Sequence, residues 1–248
     1  MARRLRPVAR TVAVDLRGHG LSDAPTGPYE PAVVADDLIA VAEGSGLVGV
    51  AGDDRRRVVL AGHGFGGIVA AWAAATLGRR CAGLVLVDGG WQDVEAETGA
   101  TPDEWLRDLA EPPEIMSSMD AFLADRRSWD PAHWDADEER AARATVVAVP
   151  AGHVVPAVRP HALERSVGAI FAYRPLETLG SLDLPIVALG AVDDEDHSKE
   201  AALAELGAAR RRAGLPPPEV AWFPDAGHNL PRYRPAELTG AILRLAAR

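Results

Sequence analysis

The chain has 248 residues, 48% of them hydrophobic and 25% charged, with a formal net charge of -10. That length suits one large α/β domain with a sizeable core, and the near-average fractions exclude disordered, collagen-like and coiled-coil classes. The acidic balance argues against a nucleic-acid binder, no apolar run approaches the ~18 residues of a membrane span, and a single cysteine, Cys81, excludes an internal disulfide framework.

The N-terminus carries Arg3, Arg4, Arg6 and Arg10, as a signal peptide would. The apolar stretch behind it is cut at Asp15, short of the ~7–15 residues such a peptide needs. A cytoplasmic protein is expected, in keeping with the lone cysteine.

Residues 11–16 (TVAVDL) read as a buried strand running into the glycine-broken loop Arg17-Gly18-His19-Gly20. A helix follows over 31–43, where Val33, Val34, Asp37, Leu38 and Val41 fall at helical spacing. Residues 57–61 form a second strand, punctuated by 62–67, and 68–77 form a small-residue helix suited to packing on a sheet. Cys81–Val87 is a third strand, ending at Asp88-Gly89-Gly90; 185–189 and 219–223 are the fourth and fifth, and helices are expected at 198–213 and 235–247. Short buried strands alternating with helices predict an α/β fold with a mostly parallel, doubly wound sheet.

Between Trp91 and Leu182 the pattern changes. Trp91, Trp105, Trp129 and Trp134 lie here among acidic residues and the Pro112-Pro113 pair, with helical stretches at 137–145 and 161–173. The segment reads as an inserted helical cap (91–182) on a core made of 1–90 and 183–248. Its tryptophans either line an apolar pocket for a small-molecule substrate or ligand under the cap, or bury the cap helices.

Ligands of open α/β sheets bind beyond the carboxyl ends of the strands. Three loops there carry chemistry: Gly62-His63-Gly64-Phe65-Gly66-Gly67, Gly190-Ala191-Val192-Asp193 and Asp225-Ala226-Gly227-His228. A carboxylate and a histidine on successive strand ends suit an oriented imidazole base.

From Val12 onward the chain resembles the α/β-hydrolase superfamily. Residues 14–23 (VDLRGHGLSD) are similar to its D-x-R-G-H-G-x-S signature, and Gly62 to Gly66 align with the nucleophile elbow G-x-S-x-G. Asp193 matches the acid by its G-x-x-D spacing, and His228 matches the base near the C-terminus. The order of nucleophile position, acid and histidine is also the family's. The resemblance implies a hydrolase of small ester-like or apolar substrates, without cofactor or metal, in which the Phe65 amide is an oxyanion-hole donor.

Two departures qualify it. The nucleophile position is Gly64, which has no side chain to attack with, so no acyl- or alkyl-enzyme forms there. The family also has strands before the D-x-R-G-H-G strand, and one of their loops supplies the second oxyanion donor. The core is therefore expected to be N-terminally truncated, through a start assigned too far downstream or a truncated gene. Either strands 11–16 and 57–61 then pair directly, or backbone groups at the sheet centre stay unpaired.

Three functions remain: a hydrolase by descent impaired at Gly64, a ligand-binding protein without turnover, and an enzyme using the Asp193–His228 dyad alone as general base. The run 193–197 (DDEDH) reads as a solvated acidic loop rather than a metal site, and His19 and His63 read as structural. The glycine loop lacks the Lys-Ser/Thr of a P-loop, and a dinucleotide site is disfavoured because the carboxylate at the expected distance falls on a strand end only at Asp88.

Overall fold

The computed structural model describes residues 2–192, 197–224 and 226–248. The chain divides into two compact units, one of Met1–Val14, Glu30–Gly99 and Ala169–Arg248, the other of Asp15–Tyr29 and Ala100–Gly168. Six strands form among the described residues: β1 (Val58–His63), β2 (Cys81–Val87), β3 (Val146–Ala148), β4 (Val154–Pro156), β5 (Ile186–Ala191) and β6 (Glu219–Phe223).

The first unit is an α/β fold on a parallel sheet of order β1-β2-β5-β6. Every residue of β2 is buried, as a seven-residue apolar run should be when a central strand is covered on both faces. The principal helices of this unit are α1 (Pro31–Gly44), α2 (Phe65–Leu77), α3 (Ser198–Arg212) and α4 (Pro235–Ala246). These elements agree with the sequence reading to within a few residues at their ends.

Packing follows from side-chain size. The small residues Ala70, Ala71, Ala73 and Ala74 let α2 lie close against β1, β2 and α1. Leu238, Ala241 and Leu245 of α4 join Val85, Val87, Val187 and Leu189 of the sheet in one cluster. Burying each such leucine contributes about 1.5–3 kcal/mol.

The expected first strand, 11–16, is not a strand. Its β-branched residues have no ladder to join, and Val12 stands exposed. Among the described residues β1 pairs only with β2, so direct pairing of 11–16 with 57–61 does not occur. The unpaired edge of β1 is not sealed from water: Ala61 is exposed, and Val58, Val59 and Gly62 are half-buried.

A buried cation ties the far end of α3 to its surroundings. Arg210 is fully buried, and its guanidinium donates to the carbonyls of Leu179 (2.7 Å), Leu182 (2.9 Å), Leu184 (3.0 Å) and Pro216 (2.8 Å). Burial pulls its pKa below the ordinary arginine value, opposed by the negative charge of Asp183.

The second unit is helical apart from the antiparallel β3–β4 hairpin, which the sequence reading did not anticipate. Its helices Pro102–Asp108, Met119–Trp129 and Ala136–Ala144 are capped by Thr101, Ser118 and Asp135. Phe122, Leu123, Val146 and Val154 form its core, with Trp134 packed against them. Trp129 is exposed with the Arg126 guanidinium 4.1 Å over its ring, so neither of these tryptophans is a bare pocket wall. His19 donates from Nδ1 to the Arg17 carbonyl (3.0 Å), a local structural bond.

Candidate active site

The site is assembled where β1 and β2 end. β1 passes directly into α2 through Gly64, whose backbone has φ +53° and ψ -122°. A side chain in that conformation carries strain of about 1–3 kcal/mol, which glycine avoids. The Gly64 N–H donates to the Val87 carbonyl (3.1 Å), fastening the turn to the end of β2. Gly89 makes this approach possible, since a Cβ there would sit 2.8 Å from Gly64 Cα. Phe65 is the first residue of α2, so its amide lies at a helix N-terminus, where backbone donors and the helix dipole favour developing negative charge.

The residue after β2 is Asp88, with φ +44°, the one non-glycine at positive φ among the described residues. Its carboxylate is fully buried. Oδ1 accepts from the Ala191 N–H (2.8 Å) and from Lys199 Nζ (3.0 Å), while Oδ2 accepts from His228 Nδ1 (2.6 Å) and from Lys199 Nζ (2.9 Å). Burial alone would raise the Asp88 pKa. The hydrogen bonds from His228, Lys199 and Ala191, with the charge of Lys199, outweigh burial and hold the carboxyl below its usual range.

His228 therefore donates from Nδ1, which leaves Nε2 of the neutral ring as an acceptor. A Cβ built on Gly64 lies 3.5 Å from that Nε2 and 3.7 Å from Cε1. The imidazole is thus aimed at the place where an elbow nucleophile would stand. Its side chain is 63% exposed, so the base is open to water. His63 Nε2 donates to the His228 carbonyl (2.8 Å), and the two rings lie 4.5 Å apart between centroids. Burial, and then the charge of a protonated His228, push the His63 pKa down, so His63 serves as a neutral prop.

Of the residues expected from sequence, Gly64, Phe65 and His228 come together here. Asp193, and the rest of the run 193–196, lie outside the described residues. Among the described residues, the carboxylate bonded to His228 is Asp88, directly after β2. Lys199 and the propping role of His63 were also missed. Lys199 carries one signal in the sequence: it is the only lysine of the chain. The signal for Asp88 was its place beyond a wholly apolar strand, before two glycines.

Trp91, at the start of the segment read as a cap, belongs to this first unit. It is buried and donates its indole N–H to the Lys199 carbonyl (3.2 Å). A groove of about 540 Å³ lined by residues such as Trp72, Arg79, Arg174 and Asp183 contains none of the site residues. Among the described residues, no three His, Cys, Asp or Glu side chains converge as a metal site, and no helix is long and apolar enough to cross a membrane.

A parallel α/β sheet with a glycine-rich turn from strand to helix, and a histidine–carboxylate pair aimed at that turn, defines the α/β-hydrolase class. The profile of the alpha/beta hydrolase family matches residues 1–241, and the chain belongs to that family. No curated protein sequence matches the chain. Solved structures similar to it include E-2-(acetamidomethylene)succinate hydrolase, 21% identical, with 100% of this chain and 85% of that one covered at a TM-score of 0.71. An esterase of M. tuberculosis is also similar (21% identity, 95% and 76% covered, TM-score 0.65). So is the N-formylmaleamic acid deformylase of Pseudomonas putida (22%, 97% and 84%, TM-score 0.60). At these identities the likeness is one of fold.

Proposed function

We propose that the protein is, by descent, a hydrolase of small ester-like or apolar substrates that has lost the covalent route and retains a general base for water. The supporting observation is the position of His228: Nδ1 is held by Asp88, and Nε2 lies 3.5 Å from where a Gly64 side chain would begin. On this reading, water takes the part of the missing nucleophile. It attacks the substrate carbonyl while His228 Nε2 removes its proton, and the Phe65 amide receives the developing oxyanion. The imidazolium then returns the proton to the leaving oxygen. A positioned base of this kind is worth about 10²–10⁴-fold, far less than a complete covalent apparatus.

Purified protein given short-chain p-nitrophenyl esters should show slow hydrolysis without a burst. His228→Ala should remove it, and an alkyl fluorophosphonate should leave no adduct on the wild-type chain. A burst or a stoichiometric adduct would refute the reading.

A second reading, ligand binding without turnover, is favoured by Lys199, whose ammonium occupies both oxygens of the acid that holds His228. It predicts hydrolysis equal in the wild type and His228→Ala, alongside saturable inhibition of ligand binding by substrate-like esters.

A further inference from the structure

A serine at the elbow tethers the attacking oxygen to the protein, and any acceptor meets the acyl group only after the enzyme has taken it. Gly64 removes the tether. The attacking oxygen then belongs to a free molecule, standing against Gly64 Cα and within about 2.6–3.2 Å of His228 Nε2 to give up its proton.

The surroundings of that place set which molecules it admits. Apart from chain neighbours, the only described atoms within 4 Å of a Cβ built on Gly64 are His228 Nε2 (3.5 Å) and Cε1 (3.7 Å). The floor beneath is bare backbone, since Gly89 approaches so closely that a Cβ on it would lie 2.8 Å from Gly64 Cα. The His228 side chain is 63% exposed, so a molecule reaches the base directly from solution. Among the described residues, then, no side chain restricts the attacking oxygen to one that carries only hydrogen. A small carbon group attached to it has room on the side away from Gly64.

The base selects the chemistry of that molecule. An alcohol O–H, like that of water, is a poor nucleophile until a base removes its proton. A neutral amine attacks with its own lone pair, and a thiol ionises unaided at mildly alkaline pH, so neither draws on His228 in this way.

We propose that the protein is an acyltransferase as well as a hydrolase, passing acyl groups from small esters directly to small primary alcohols. His228 Nε2 takes the alcohol proton as the alcohol oxygen bonds to the donor's carbonyl carbon. The tetrahedral intermediate then expels the donor's leaving oxygen, which receives the proton from the imidazolium. One ester and one alcohol enter, and a new ester and the displaced alcohol leave. The proposal rests on the reading of His228 as base for a free nucleophile, and the products formed tell failure of one from failure of the other.

The test gives the wild-type chain p-nitrophenyl butyrate in buffer containing methanol and quantifies butyric acid and methyl butyrate by NMR, with His228→Ala as background. Above that background, the preference for methanol over water, per mole, should exceed that of the uncatalysed reaction by about fourfold, the worth of one methyl group leaving water. Release of p-nitrophenol should also rise with methanol, because the acceptor enters in the step that frees the phenol. An acyl-enzyme whose formation limits turnover would divert the product at constant release. The preference should fall from methanol through ethanol to isopropanol and vanish for tert-butanol, whose methyl groups cannot all clear the His228 ring and the Gly64–Gly89 backbone. Gly64→Ala, which puts a methyl group where the acceptor stands, should return the methanol preference to the uncatalysed value. Should that variant fail to fold, the alcohol series on the wild type reads the same space.

His228-dependent acid without His228-dependent methyl ester, or an equal preference for methanol and tert-butanol, would overturn the proposal and leave water activation standing. Methyl ester without acid would support the transfer and overturn water activation. Neither product above the His228→Ala background would overturn both.

Discussion

Replacing Gly64 by serine rebuilds the missing member of the site, and the structure sets what it should do. The added Cβ meets nothing closer than His228 Nε2 at 3.5 Å, an ordinary van der Waals contact, so the substitution is sterically open. One bond further, a hydroxyl in the rotamer facing the ring comes within hydrogen-bond reach of Nε2. The cost is conformational, since φ of +53° strains any residue but glycine by about 1–3 kcal/mol. For a chain of this size that is a fall in melting temperature of roughly 2–12 °C.

The gain is kinetic. Loss of a serine nucleophile in the serine-protease precedent costs about 10⁶ in turnover, and each missing oxyanion donor about 10²–10³. With the Phe65 amide as one donor, Gly64→Ser should hydrolyse p-nitrophenyl acetate about 10³–10⁴-fold faster than wild type. It should also take up one fluorophosphonate equivalent, located at residue 64 by mass spectrometry. Adding His228→Ala should abolish both gains. A folded Gly64→Ser protein that neither labels nor gains rate would refute the argument that His228 is aimed at this position.

Three further outcomes follow from burial and charge. Arg210→Met leaves the carbonyls of Leu179, Leu182, Leu184 and Pro216 without their buried donor and should cost about 3–5 kcal/mol, lowering the melting temperature by roughly 6–20 °C; a loss under about 2 °C would show that these carbonyls find other partners. Burial pushes the Cys81 thiol up to about 11, so the native chain should resist Ellman's reagent at pH 8 and release one thiol equivalent in guanidinium; rapid labelling of native protein would contradict the buried β2. The depressed Asp88 pKa gives stability that is fully present above the unfolded carboxyl value of about 3.9 and is lost as pH falls through the folded value. The urea midpoint should therefore drop between pH 5 and pH 3 by more in wild type than in Asp88→Asn, and equal drops would assign the acid sensitivity to other carboxyls.

What the sequence disclosed depended on whether one segment carried the whole signal. Cys81–Val87 is apolar throughout because it is central, and its run names it a strand without reference to any neighbour. Residues 11–16 are also mostly aliphatic or β-branched, yet a strand needs a ladder, and β1 pairs only with β2 among the described residues. Composition cannot report the absence of a partner. The short hairpin of β3 and β4 was hidden for the converse reason: three-residue strands are too brief to show a period. In the site, Gly64, Phe65 and His228 lie in motifs with fixed spacing. Asp88 and Lys199 meet across 111 positions through the pairing of β2 with β5 and the start of α3, a distance no local pattern encodes.

Gly64 and Asp88 both sit at positive φ, and only the first is a glycine. At Gly64 the turn is held by a residue that takes φ +53° freely and carries no side chain. At Asp88 the strain remains: a non-glycine is held at φ +44°, with a fully buried carboxylate that needs three donors to stay ionised. An apolar side chain or a glycine there would remove both the backbone strain and the desolvation of the charge, and nothing in the packing of β2 requires a carboxylate. The fold alone thus gives no reason for Asp88. Its geometry is accounted for by His228, whose Nδ1 it holds, and by Lys199, which it binds with both oxygens.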